Sequence, residues 1–114
     1  MCYKLFLDDE RYPRTIYNTR CHTEIFSSDD DWVIARSYNV AVDIVTTNGC
    51  PQFISFDHDL GTGKTGMDFA KWIIEQALND SDFIPVGFDY YVHSMNPVGA
   101  ENIWLLLINF FNRR

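Results

Sequence analysis

The chain reads as a three-layer α/β fold built on a short parallel sheet of four strands in the spatial order 2-1-3-4. Two observations carry that reading. Short apolar runs of strand character alternate with longer stretches of helical period, and such alternation implies parallel pairing through right-handed crossovers. In addition, Tyr3-Lys4-Leu5-Phe6-Leu7 stops at Asp8-Asp9-Glu10, and Phe53-Ile54-Ser55-Phe56 stops at Asp57-His58-Asp59-Leu60-Gly61. If these two strands lie side by side and parallel, Asp8, Asp9, Asp57 and Asp59 meet outside their carboxyl ends, where open α/β sheets bind ligands.

The first strand gives way to Arg11-Tyr12-Pro13-Arg14, where the proline makes a helix running through this point unfavourable. Thr15 to Asp31 is rich in Thr, Asn, Ser and Asp and has no clear period, so a long, mostly irregular connection is expected. Its Asp29-Asp30-Asp31 run reads as a solvated acidic loop rather than a cation site. Trp32 to Arg36 has the aromatic and β-branched content of the second strand. Ser37 then stands as the N-cap of a helix over Tyr38 to Thr47, with Val40, Ala41, Ile44 and Val45 as its core stripe and Asn48-Gly49 as its stop. Cys50-Pro51 closes the turn into the third strand.

From Gly66 the period is helical, with Met67, Ala70, Ile74 and Ala77 along one stripe widened by Phe69, Ile73 and Leu78, and Trp72 near its edge. Asn79 to Asp82 breaks the pattern, and Pro85 and Gly87 lead into a fourth strand, Phe88 to Val92. That strand also ends in polar residues, His93, Ser94 and Asn96. Asn96 as N-cap with Pro97 at the first helical position starts the last helix, which runs to about Asn109 or Phe111. It is almost wholly apolar, so it is expected to be largely buried or covered by a partner, which would suit a homo-oligomer. Arg113 and Arg114 follow it, where cations complement the helix dipole. The layout is a shortened flavodoxin-like arrangement with the loop before the second strand in place of a helix.

A chain of 114 residues, 46% hydrophobic and 16% aromatic, has enough apolar material for one packed core and is expected to be one domain. Its net charge of -7 argues against wrapping duplex nucleic acid, which needs a basic face. The three cysteines, Cys2, Cys21 and Cys50, are odd in number and contain no Cys-x-x-Cys pair, which fits a reduced, cytoplasmic compartment. No signal-peptide pattern opens the chain, and the longest apolar run, Ile103 to Ile108, falls far short of the ~20 residues needed to cross a bilayer.

Carboxylates crowded at a strand edge repel one another unless a cation, an arginine or a proton resolves the conflict. Asp57 and Asp59, two apart, face the same way in extended backbone, with His58 opposite, and only one of Asp8 and Asp9 points fully into the site. Hard oxygen ligands of this kind favour magnesium, manganese or calcium over zinc, and the expected ion is Mg²⁺ or Mn²⁺ held by Asp8, Asp9 and Asp57. His93 is the candidate general acid. Arg11, Ser94, Asn96 and the amides opening the last helix, Gly99 among them, are candidates to bind phosphoryl oxygens. Gly61-Thr62-Gly63-Lys64-Thr65-Gly66 ends like a triphosphate-binding loop. But His58 stands where the first glycine of G-x-x-x-x-G-K-[ST] belongs, and Asp57 and Asp59 would repel the phosphates. An ATPase is therefore excluded, and Lys64 remains as an electrostatic contact.

Taken together, Leu5-Phe6-Leu7-Asp8-Asp9-Glu10-Arg11 with Pro13, Ile54 to Gly61, Gly66 with Asp68 and Trp72, and His93-Ser94-Met95-Asn96-Pro97-Val98-Gly99-Ala100 with Asn102 resemble the cyclic-phosphate-processing receiver-like domains. The resemblance implies a receiver-like fold and the handling of cyclic phosphates, such as 2′,3′-cyclic RNA ends or cyclic nucleotides. It also places Asp57 at the phospho-acceptor position of receivers, with Asp8 and Asp9 in their acidic pocket. Receivers use a lysine at the end of a later strand, whereas this chain has none after Lys71. The expected activity is a metal-assisted phosphoesterase in which Asp57, Asp59 and His93 are catalytic. The alternatives are a signalling module phosphorylated on Asp57 and a non-catalytic binder of cyclic nucleotides.

Overall fold

The computed structural model describes residues 3–19, 22–61 and 63–112. Cys2, Cys21, Arg113 and Arg114, including the dipole contact expected of the two arginines, lie outside them. In chain order the elements are β1 (Lys4–Leu7), α1 (Pro13–Thr19), a 3-10 turn (Glu24–Phe26), β2 (Trp32–Ala35), α2 (Tyr38–Asn48), β3 (Phe53–Phe56), α3 (Gly66–Asn79), β4 (Asp89–Val92) and α4 (Pro97–Asn112). The sheet is parallel throughout, in the order β2-β1-β3-β4.

Alternation along the short strands divides the core in two. Leu5, Leu7, Ile54 and Phe56 face α2, α3 and α4, where they pack against Ala41, Val45, Phe69, Ile73, Ile103 and Leu107. Phe6 and Trp32 face the other way, onto Ile16 of α1 and Phe26 of the 3-10 turn. That second layer is thin, and it corrects the irregular connection expected from Thr15 to Asp31. No helix runs through Pro13, as expected, but one begins at it, because the missing N–H costs nothing at a first helical position. The seven residues of α1 carry one buried apolar side chain after the proline, Ile16, too few to show a period. Asp29 of the acidic run reaches back to this helix, accepting from the Arg14 amide at 2.9 Å and pairing with the Arg14 guanidinium at 3.5 Å.

The capping residues work as their sequence suggests. Ser37 accepts from the Val40 amide, Gly49 closes α2 with φ of 86°, and Asn96 Oδ1 accepts from the Gly99 amide at the start of α4. Thr65 and Asp68 form a reciprocal capping box at the start of α3. Val40, expected in the core stripe of α2, is instead 43% exposed, since Ala41 and Val45 already turn that helix's buried line inward. The α4 helix buries Ile103 and Leu107 but leaves Trp104 and Leu105 in solvent. Among the described residues no helix is long and apolar enough to cross a membrane.

Candidate functional site

The register Leu7↔Ala35, Leu7↔Phe56 and Phe56↔Val92 brings four strand ends level. The ladder then continues one residue further on each side: Asp8 N–H donates to Ala35 O, Asp57 N–H to Leu7 O and His93 N–H to Phe56 O, at 3.1, 3.0 and 2.9 Å. Asp8, Arg36, Asp57 and His93 therefore follow the four strands at one edge. Strand order reverses between β1 and β3, so the crevice beside Asp8 and Asp57 is the switch point of the sheet.

Asp8 is fully enclosed, and its carboxylate is saturated. Oδ1 accepts from the amides of Glu10 and Arg11 at 2.9 and 2.8 Å; Oδ2 accepts from Arg11 Nε at 2.8 Å and His93 Nε2 at 3.0 Å. Burial alone would raise this carboxyl, but the His93 bond, the two amides and the guanidinium charge outweigh it and hold Asp8 well below the usual carboxylate range. Asp57, also buried, goes the other way. Burial and the charge of Asp8 raise it, against the opposing influence of His93, of Arg11, whose Nη2 is 3.5 Å from its Oδ1, and of a hydrogen bond with Ser94.

His93 lies beneath this pair with no exposed surface. Its ring stacks flat on Phe6, with centroids 4.5 Å apart and planes at 5°. Nδ1 is 2.6 Å from Ser55 Oγ and Nε2 is 3.0 Å from Asp8 Oδ2. Burial lowers its pKa, and an ionised Asp8 only accepts, so the neutral ring carries its proton on Nε2 while Nδ1 accepts from the Ser55 hydroxyl. In this geometry the expected direct contact of His93 with a substrate is closed off by its burial, and the ring is linked to the pocket through its bond to Asp8.

Above the enclosed cluster is an open pocket of about 510 Å³ lined by Asp9, Glu10, Arg11, Asp57, Asp59, Gly61 and Met95. Asp57 and Asp59 both face it, as alternation suggests. Asp59 accepts from His58 Nδ1 at 3.0 Å and Asn96 Nδ2 at 3.3 Å; the His58 bond, then that of Asn96, lowers its pKa. The His58 ring lies against Gly99, where an added Cβ would drive into it. Gly66 is as tightly placed, since a Cβ there would overlap the Asp57 carbonyl oxygen; this close approach seats α3 on the end of β3.

The sequence-predicted residues thus divide into groups. Asp9, Arg11, Asp57 and Asp59 share the pocket, with Asp8 and Ser94 bonded to its members from below. Asn96 and Gly99 do not line it: Asn96 is bonded to Asp59 and Gly99 lies against His58, and the Gly99 amide is occupied by Asn96 Oδ1 and the Ala100 amide by the Asn96 carbonyl. Lys64 is elsewhere, with Nζ 5.2 Å from the Tyr38 ring centroid beside a neighbouring cavity. Two contributors escaped the sequence reading. Ser55 is the single hydroxyl in an otherwise apolar strand, and Arg36 follows β2 just as Asp8 follows β1. Arg36 Nη1 donates to the carbonyls of Asp8 and Arg11 at 3.2 and 2.6 Å and so clamps the loop that carries the acids.

An atom each from Asp8, Asp57 and His93 lie within 4.8 Å of one another, a set that could hold a metal ion. Within it, however, Asp8 and His93 are already bonded to each other, and Asp8 also to Arg11. The open pocket offers a second set of hard oxygen donors, since Asp9, Glu10, Asp57 and Asp59 line it with one guanidinium, that of Arg11. Asp57 is common to both sets, and the carboxylate donors of each are those a hard divalent cation takes.

A parallel α/β sheet with two acids after β1, a third after β3 and a hydroxyl after β4 defines a receiver-like domain. The family described as the cyclic-phosphate processing Receiver domain matches residues 3–109, and the chain belongs to it. A search of curated proteins finds no match. Among solved structures, one described as a yeast Spc42 trimeric coiled-coil segment fused to another structure aligns over 98% of this chain and 77% of that one, at 20% identity and a TM-score of 0.51. That likeness concerns the fold alone.

Proposed function

We propose that this receiver-like domain is a divalent-metal-assisted phosphoesterase that opens a cyclic phosphate, either a 2′,3′-cyclic RNA end or a small cyclic nucleotide. The observation that carries the reading is the pocket at the switch point, lined by four acidic residues and Arg11 in a member of a cyclic-phosphate processing family. An anionic phosphate cannot approach that charge without a cation. Asp57 and Asp9 would hold Mg²⁺ or Mn²⁺, which when bound would polarise a phosphoryl oxygen and acidify water. Asp59, fixed by His58 and Asn96, orients the attacking water and takes its proton. Arg11, aligned by Asp8, presents its remaining N–H groups to the phosphoryl oxygens. Hydrolysis adds water across one P–O bond of the ring: the oxygen of water goes to phosphorus, the released ribose oxygen takes a proton from solvent in the open pocket, and Asp59 returns the proton it took to solvent. Ser55 and His93 position Asp8, and through it Arg11.

Purified protein with Mg²⁺ or Mn²⁺ should open members of a panel of cyclic-ended RNAs and cyclic nucleotides, with products identified by mass. Asp57→Asn should lower divalent-dependent turnover by at least ~100-fold with its urea midpoint retained. Unchanged turnover in that variant refutes the role of Asp57. Stoichiometric binding without product indicates a binder instead, and a hydroxylamine-labile adduct on Asp57 after incubation with acetyl phosphate indicates a phosphorylated signalling module.

A further inference from the structure

Beside the acidic pocket, on the other side of the loop after β3, lies a second cavity of about 270 Å³ lined by Ser37, Tyr38, Asn39, Leu60, Gly63 and Lys64. Leu60 belongs to this cavity and the adjoining Gly61 to the acidic one, so the two hollows are neighbours across a single peptide. The smaller lies below the ~300–1,000 Å³ of a typical complete small-molecule site, which suits part of a ligand whose remainder sits next door.

Its lining is of a specific kind. Buried Leu60 gives an apolar floor. The Tyr38 ring is braced edge-on by core Phe69, with centroids 6.5 Å apart and planes at 84°, so it is a fixed platform rather than a loose surface aromatic. Asn39 brings an exposed side-chain amide able both to donate and to accept. Lys64 lies over the Tyr38 ring at 5.2 Å, an exposed cation–π contact that is weaker than the stacking of a nucleobase on an aromatic ring. A base can therefore displace the flexible ammonium and take its place.

We infer that this cavity is a nucleobase subsite: the substrate is a nucleoside cyclic phosphate whose base stacks on Tyr38 while its phosphate occupies the acidic pocket. The inference rests on the phosphoesterase reading and names its substrate class. It also gives Lys64 a place. Once released from Tyr38, its ammonium remains on the loop shared with the acidic pocket, within the field of the substrate's phosphate.

The test compares a nucleoside 2′,3′-cyclic phosphate with glycerol 1,2-cyclic phosphate, which has no base, in wild type and in Tyr38→Leu and Asn39→Ala. Binding is followed by amide NMR shifts in the presence of Mg²⁺, and turnover by product mass. In wild type the nucleoside probe should perturb Tyr38, Asn39, Gly63 and Lys64 together with the acidic pocket, whereas the base-free probe perturbs only the latter. Tyr38→Leu should reduce the preference for the nucleoside probe, measured as the ratio of the two dissociation constants, by about 10-fold or more. Asn39 is exposed, so Asn39→Ala gives the same comparison without strain on the fold, with a smaller loss of preference. Equal ratios in all three proteins, or shifts confined to the acidic pocket with both probes, overturn the subsite. Because the ratio is read from binding, it decides the inference even where neither probe is turned over, an outcome that would remove the enzymatic reading alone.

Discussion

Asp8→Asn tests whether one buried carboxylate organises the site. The amide keeps an acceptor at Oδ1 for the backbone of Glu10 and Arg11 but replaces Oδ2 with an NH₂ group. His93 can meet that group by moving its proton from Nε2 to Nδ1 and donating to Ser55 instead. Arg11 Nε has no such recourse and is left donor against donor. Removing one partner of a buried ion pair costs about 3–5 kcal/mol. Here the guanidinium is 19% exposed and retains Asp57 at 3.5 Å, which brings the expected loss to about 2 kcal/mol at pH 7. The sign of the pH dependence follows from the depressed pKa. The contribution of Asp8 is complete above its unfolded pKa of about 3.9 and is lost as pH falls toward its lower folded value. Protonation of the unfolded chain alone removes about 1.3 kcal/mol of the difference between pH 7 and pH 3. Asp57 acts in the opposite sense, because its raised pKa favours the folded state on acidification and depends in part on Asp8. Both proteins should therefore carry Asp57→Asn, with a chelator present. Urea unfolding at the two pH values gives the answer: a difference below about 0.5 kcal/mol at pH 7, or one that does not shrink by pH 3, refutes the charged hub.

Two further substitutions probe the supports of the pocket. Gly66→Ala places a methyl on the Asp57 carbonyl, which is backbone and cannot swing away, so a loss above about 3 kcal/mol in urea unfolding is expected; a protein within about 1 kcal/mol of wild type would show that α3 is not seated on β3 as described. Ser55→Ala removes the hydroxyl facing His93 Nδ1 and should cost about 1–3 kcal/mol, with Ser55→Thr recovering part of it; equal stability of all three proteins would mean that the ring is held in place without that bond.

The sheet order and the meeting of the acids were legible because both depend on coarse, repeated signals. Each strand is a run of apolar residues ended by charge, and a period of two fixes which side chains share a face. The pairing of Asp57 with Asp59 followed from that rule alone. The α1 helix was not legible, because seven residues with one buried apolar side chain after a proline contain no period to read. The role of His93 was obscured for another reason: its place at a strand end is visible in sequence, but whether it looks into the pocket or under it depends on the side chains of Phe6 and Ser55, which are remote in the chain. A hydroxyl in the middle of Phe53-Ile54-Ser55-Phe56 was the one available hint, since a buried Ser needs a partner.

The division between Asp8 and Asp9 separates a structural acid from a solvent-facing one. Adjacent residues at a strand end point opposite ways, so one acid is enclosed and the other remains in solvent. The enclosed one is neutralised by Arg11 and held in place by His93, and it cannot gain another partner without losing one. The charge left over is on the outward acids, and a single guanidinium, already shared between Asp8 and Asp57, cannot balance them. On the proposed reading, a hydrogen-bonded inner acid would leave the outer set to a compact divalent cation rather than to a further side chain or a bare anion. On this argument Asp9→Asn should weaken Mn²⁺ binding, measured by titration calorimetry, by about 10-fold or more while leaving the urea midpoint close to wild type. Asp8→Asn should instead lower stability first, and affinity only as far as Arg11 shifts. If Asp8→Asn and Asp9→Asn gave the same two losses, the inner and outer acids would not be distinct, and the separation of structural from ligand-facing charge would have to be abandoned.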